Sequence, residues 1–219
     1  MVLLLLSSCM TTSRMNKLVM KYYVKQSKTI LTPPPSDILE MDYTKLKRVN
    51  GYSKSRYKSF FTVPLLIYTF SKERIQCEIN PKLLTWQLNE KLKSYLQSSD
   101  FAEKMSNRKV VIEWQKLPNV IEHKYVSHFL ALPYSYNSAS ITKTDFKGEQ
   151  GTLICIIKIL NRDGVILSEK THETVLDPVL IETFFEGRRR DFIWHGLDMV
   201  SERNTIAFQQ LIDKILQEI

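Results

Sequence analysis

The amino-acid sequence predicts an α+β domain. Three observations carry that reading. Segments follow the order strand, helix, strands, helix; runs rich in β-branched and aromatic residues recur between turn-forming residues; and the C-terminal stretch holds an apolar stripe at helical spacing. Strands that cluster, instead of alternating strictly with helices, give an antiparallel or mixed sheet of about five to seven strands. Helices, the C-terminal one included, are expected to pack on one face of it.

Residues 18–24 have strand composition, and Pro33, Pro34 and Pro35 mark a stiff polyproline-like break. Residues 50–56 are polar and contain Gly51, as a loop does. Residues 60–70 read as a buried strand interrupted near its start by Pro64, and Ser71 and Lys72 separate it from residues 73–79 in a predicted hairpin. Asn80 followed by Pro81 is a helix start, a capping side chain and then a proline in the first helical turn. Leu84, Leu88, Leu92, Tyr95 and Leu96 continue that helix at helical spacing, and a shorter helix is expected over residues 100–105.

Strand composition returns over residues 109–115, 121–130, 138–145, 152–160 and 165–173. Asn161, Arg162, Asp163 and Gly164 form a hairpin connection, and Gly148 and Gly151 bracket another turn. Asp177 and Pro178 signal the start of a helical region. From Phe192 onward helix dominates, with Ile206, Leu211, Ile215 and Ile219 in its apolar stripe.

A chain of 219 residues with 43% hydrophobic and 25% charged content has the composition of an ordinary globular domain. Its net charge of +8 is unevenly placed. The whole surplus lies in the first 60 residues, where Asp37, Glu40 and Asp42 are the acids, and the rest of the chain balances. Such a segment solubilises a surface, or beside a membrane leans on anionic headgroups at roughly 1 kcal/mol per cation. No later run approaches the ~18 consecutive apolar residues that a transmembrane helix requires.

The chain opens on a short apolar run ending in Leu6, Ser7, Ser8 and Cys9, followed by the polar residues Thr11, Thr12, Ser13 and Arg14. This resembles the lipobox of bacterial lipoproteins, in which small residues precede a cysteine that receives lipid. The resemblance implies a truncated signal peptide over residues 1–8, with the start codon upstream, and lipidation at Cys9. It further implies a basic tether and N-terminal extension over residues 9–58, a single α+β domain over residues 59–219, and a place in the bacterial cell envelope, lipid-anchored to a membrane. The alternative is a cytoplasmic protein with an apolar N-terminus. Tyr22, Tyr23 and Val24 soon after the anchor are similar to the opening strand of envelope lipoproteins that assist transport or assembly, a likeness of architecture that assigns no site residues.

Signals of chemistry are sparse. His123 and His128 are five apart, which on a strand puts them on opposite faces and disfavours joint metal ligation. His172 and His195 stand in ordinary contexts. No Gly-x-Ser-x-Gly elbow or Gly-rich phosphate loop occurs, and no cofactor is implied. Cys77 and Cys155 lie in strand-like segments and pair only if those strands are neighbours; separate buried thiols are the other reading. Arg188, Arg189 and Arg190, between Glu186 and Asp191, could grip carboxylate or phosphate, or form a solvated helix junction. Tyr134 and Tyr136 end an aromatic and apolar patch suited to a groove wall or to the core.

These residues predict a non-catalytic, membrane-anchored envelope lipoprotein that binds a protein or lipidic partner. Two alternatives stand beside it: an envelope hydrolase with a site assembled from Glu122, His123 or His172, and a basic nucleic-acid-binding protein should the lipobox be fortuitous. Nucleic acid is not an expected partner of an exported protein, and the Gly-aromatic patterns of RNA-binding sheets are missing.

Overall fold

A computed structural model describes residues 11–27, 37–46, 52–63, 66–132, 137–184 and 189–219. Through them run α1 (Thr12–Ser27), β1 (Leu39–Asp42), β2 (Tyr52–Val63), β3 (Leu66–Glu78), α2 (Pro81–Leu84), α3 (Trp86–Leu96) and α4 (Ser99–Met105). There follow β4 (Arg108–Lys116), β5 (Val120–Leu132), β6 (Asn137–Gly148), β7 (Gly151–Asn161), β8 (Ile166–Leu176), β9 (Val179–Phe184) and α5 (Arg189–Glu218). The class is α+β, with the strands divided between two sheets. A four-stranded sheet has the order β1-β4-β7-β8, in which β1 runs parallel to β4, and a five-stranded antiparallel sheet has the order β2-β3-β5-β6-β9.

The two sheets share one apolar core because α5 lies across both. Near its start, Phe192 packs on His123, and Gly196 sits so close to Phe146 that a Cβ would meet the ring at 2.4 Å. Near its end, Phe208 packs on Trp114 at 6.3 Å between ring centroids. In the four-stranded sheet the inward residues alternate strictly, with Val110, Ile112 and Trp114 of β4 facing the same side as Cys155, Ile157 and Ile159 of β7. Leu88, Leu92 and Leu96 of α3 are fully buried at one-turn spacing, each contributing roughly 1.5–3 kcal/mol of transfer free energy.

Several local signals act as expected. Asn80 Oδ1 accepts the Lys82 amide at 3.0 Å and Pro81 fills the first helical position, although Thr85 breaks the helix into α2 and α3. Asn161 Oδ1 accepts the Val165 amide at 2.8 Å, and Gly164 takes φ = 78°, where a β-carbon would be strained.

Others are corrected. Residues 18–24 belong to a helix: Met15, Val19, Tyr22 and Tyr23 are buried at the spacing of one helical face, and this periodicity overrides the β-like composition. Thus the segment read as a basic tether contributes α1, β1 and β2. Residues 52–56 of the expected loop are strand. The hairpin reverses between Val63 and Leu66, whose Cα atoms pair, so Ser71 and Lys72 lie inside β3 and the described residues of 60–70 are not buried. Pro64 lies outside the described residues. After Asp177 and Pro178 comes β9, not a helix. Pro33, Pro34 and Pro35 lie outside the described residues.

Candidate functional site

Strands β2, β3, β5 and β6 run on past the row at which α5 begins. At the root of this sheet, Glu73 of β3, Tyr125 of β5 and Thr144 of β6 stand in one cross-strand row on the helix-facing side. Arg189, the first residue of α5, lays its guanidinium over the Tyr125 ring at 3.5 Å and reaches Glu73 Oε2 at 3.3 Å. With 5% of its side chain exposed, Glu73 is a buried carboxylate held by a stacked guanidinium. His123, in the next row, shares a 3.0 Å hydrogen bond between Nε2 and Thr144 Oγ1. Burial, and then the positive charge of Arg189, push its pKa down to about 4, so the ring is neutral at physiological pH. This cluster pins the start of α5 to the sheet.

Beyond that row these strands continue in pairing past the start of α5. Residues 57–63 pair with 66–72, residues 67–72 with 126–131, and residues 126–132 with 137–143, all in antiparallel register. Among the described residues of this arm none is buried. Because side chains alternate across a sheet, its two faces have different chemistry. The face turned away from the helix-packed side carries Phe61, Tyr68, Leu130 and Ala139 in one row and Ser59, Phe70, His128 and Ile141 in the next. Phe61 and Ile141 are 57% and 59% exposed. Towards the root this apolar face ends at Tyr57, Lys72, Val126 and Lys143. The opposite face is mixed, with Thr62, Ile67 and Ala131 in the outermost row, Phe60, Thr69, Phe129 and Ser140 in the next, and Lys58, Ser71, Ser127 and Thr142 nearest the root.

The residues singled out from sequence fall in different places. Cys9, Tyr134, Tyr136 and Arg188 lie outside the described residues. Arg189 is engaged in the root cluster, whereas Arg190 bonds Asp191 at 2.8 Å and lies over Trp194. Glu122 and His123 point to opposite faces of β5, with Glu122 bound to Arg74 at 2.5 Å, and His172 belongs to the other sheet, bonded to Thr174 at 2.9 Å. His128 stands opposite His123 in face, as their odd spacing requires, and shares a 2.7 Å hydrogen bond with the Tyr68 hydroxyl. His195 is exposed on α5. Cys77 and Cys155 are free and buried on different sheets, and burial pushes both thiols up to about 12. Among the described residues no three His, Cys, Asp or Glu gather as a metal ion would need, and no helix is long and apolar enough to cross a membrane.

The exposed face of the arm is not legible in the sequence because residues 60–70 read as one strand. With the reversal between Val63 and Leu66, Tyr57, Ser59 and Phe61 fall on one face, together with Leu66, Tyr68 and Phe70. A scan of protein-family models, a search of curated proteins and a search of solved structures return no match to the chain.

Proposed function

We propose that this chain is a non-catalytic protein of the bacterial cell envelope, anchored by lipid at Cys9, that docks on a lipidic partner through the apolar face of its arm. The observation that supports this reading is that face, on which Phe61, Tyr68, Phe70, Leu130 and Ile141 lie together on strands covered by no other described element. Apolar patches of that kind on a folded protein mark interaction surfaces. Lys72 borders it on the root side and supplies a cation for anionic headgroups, whereas Lys143 in the same row is paired with Glu182 at 2.8 Å. The basic surplus of the first 60 residues adds to the same attraction. Support for the hydrolase alternative is weaker, since Glu122, His123 and His172 do not converge.

The test is flotation of the full chain carrying Cys9→Ala with vesicles of phosphatidylethanolamine and phosphatidylglycerol, so that lipidation contributes nothing. The protein is expected to float with the vesicles, and Phe61→Glu with Ile141→Glu to leave it at the bottom of the gradient with its thermal melt unchanged. A Cys9→Ala chain that never floats contradicts docking through the arm. Fatty-acid labelling of the wild type but not of Cys9→Ala tests the anchor separately.

A further inference from the structure

Helix α1 buries one face and charges another. Met15, Val19, Tyr22 and Tyr23 are buried in the core, and Tyr22 donates its hydroxyl to Asp198 Oδ1 of α5 at 2.7 Å. Arg14, Lys17, Lys21 and Lys25 are exposed. At about 100° and ~1.5 Å per residue, these four fall within roughly 80° of arc and form a ridge roughly 16 Å long. The helix holds no Asp or Glu, and none of the four cations makes an ion pair with a described residue. Their spacings of three and four residues set them one turn apart, where like charges repel and weaken a helix.

At the end of α1 the positive charge is gathered further. Lys25 Nζ lies 5.3 Å from the centre of the Trp194 ring and the Arg190 guanidinium 5.1 Å from the same ring, so one indole draws together cations of two helices. The ridge thus runs on from α1 into the start of α5. The acids of α5 beside it, Asp191 and Asp198, are bonded to Arg190 and Tyr22. Such a line of cations is unfavourable within the free chain and favourable against an anionic surface.

We propose that this ridge is a second membrane contact, electrostatic where the arm's is apolar, by which α1 lies flat on anionic lipid headgroups. The proposal rests on the membrane-docking reading above. Cys9 precedes Thr12, the first residue of α1, by three positions. That is no more than about 11 Å of chain, so a lipid on the cysteine brings the ridge close to the layer in which headgroup charge acts. Because the apolar face of α1 is spent on the core, the helix meets the membrane by charge and does not insert. Nucleic acid is the poorer occupant, since Tyr22 and Tyr23 are buried and offer no ring for base stacking.

The experiment measures partition of the full-length Cys9→Ala protein onto vesicles of phosphatidylcholine with and without phosphatidylglycerol, over a range of KCl. Lys17→Gln with Lys21→Gln removes two charges and keeps good helix formers in place. Expected is stronger partition onto the anionic vesicles, weakening as KCl rises. The double variant is expected to lose roughly 30-fold there, a factor of roughly five per cation, and nothing on the uncharged vesicles. Partition that is equal with and without phosphatidylglycerol, or that the double variant leaves unchanged, overturns the ridge while leaving docking through the arm intact. An equal loss on both kinds of vesicle also overturns it, because charge is then not what the lysines supply. No partition onto either vesicle overturns ridge and arm together, and duplex DNA binding that the double variant loses would then assign the ridge to nucleic-acid phosphates.

Discussion

At the scale of single residues, packing and burial set sharp expectations. Gly196 lies inside α5, where glycine is about 1 kcal/mol worse than alanine, yet the Phe146 ring occupies the space a β-carbon needs. Gly196→Ala is expected to lower stability by about 1–3 kcal/mol by overpacking despite its better helix propensity, and Phe146→Leu to recover part of the loss; denaturant melts of the two single variants and the double variant check this. His123 makes stability depend on acid. Its folded pKa of about 4 lies below its ordinary ~6.5, so the unfolded chain binds the extra proton between these values. Stability is complete above pH 6.5 and falls as pH drops towards 4, by on the order of 3 kcal/mol. The charges facing the ring are Arg189, Glu73 and Asp145. Thermal melts of His123→Gln are expected to be flat across that window. Both proteins should still lose stability from pH 4.5 down to 2, where Glu113, held at about 2 by Lys45 and Lys158, is protonated.

At the scale of elements, the connections between the sheets are the weak points, and Arg203 of α5 holds two of them. Its Nη1 donates to the Glu149 carbonyl at 2.7 Å and to the Asp177 carbonyl at 2.8 Å, while Nε and Nη2 bond Asn204 Oδ1. Arg203→Ala gives those exposed carbonyls to water and is expected to cost about 1–2 kcal/mol; hydrogen exchange should speed first around residues 149–150 and 177–178. The strand set from residue 108 to 176 was legible in the sequence because turns at Gly148, Gly151 and Gly164 punctuate it. Elements whose local chemistry is ambiguous were not. Residues 18–24 look like a strand by composition, and only the extension back to Met15 exposes the helical face. Asp177 and Pro178 can open a helix or, as here, precede a strand, and register with β6 decides it. The arm was hidden for a geometrical reason: alternation has meaning only once the reversal point is known.

At the scale of the whole molecule, an apolar core under α5 carries a sheet that continues past it. A globular protein does not gain stability by extending four strands into water with Phe61, Tyr68 and Ile141 uncovered. On the proposed reading the exposed surface faces a second environment, a membrane, for which the resemblance to a lipobox and the basic surplus of the first 60 residues speak. The alternation itself can be read directly. With Cys9 replaced by alanine and Cys77 and Cys155 buried, single cysteines at positions 57–62 and 139–142 can each carry a nitroxide spin label in protein reconstituted with vesicles. Accessibility to oxygen and to a water-soluble nickel chelate should then alternate from residue to residue, with positions 59, 61, 139 and 141 in lipid and 60, 62, 140 and 142 in water. Uniform access of the nickel chelate along both strands would contradict a membrane-facing arm.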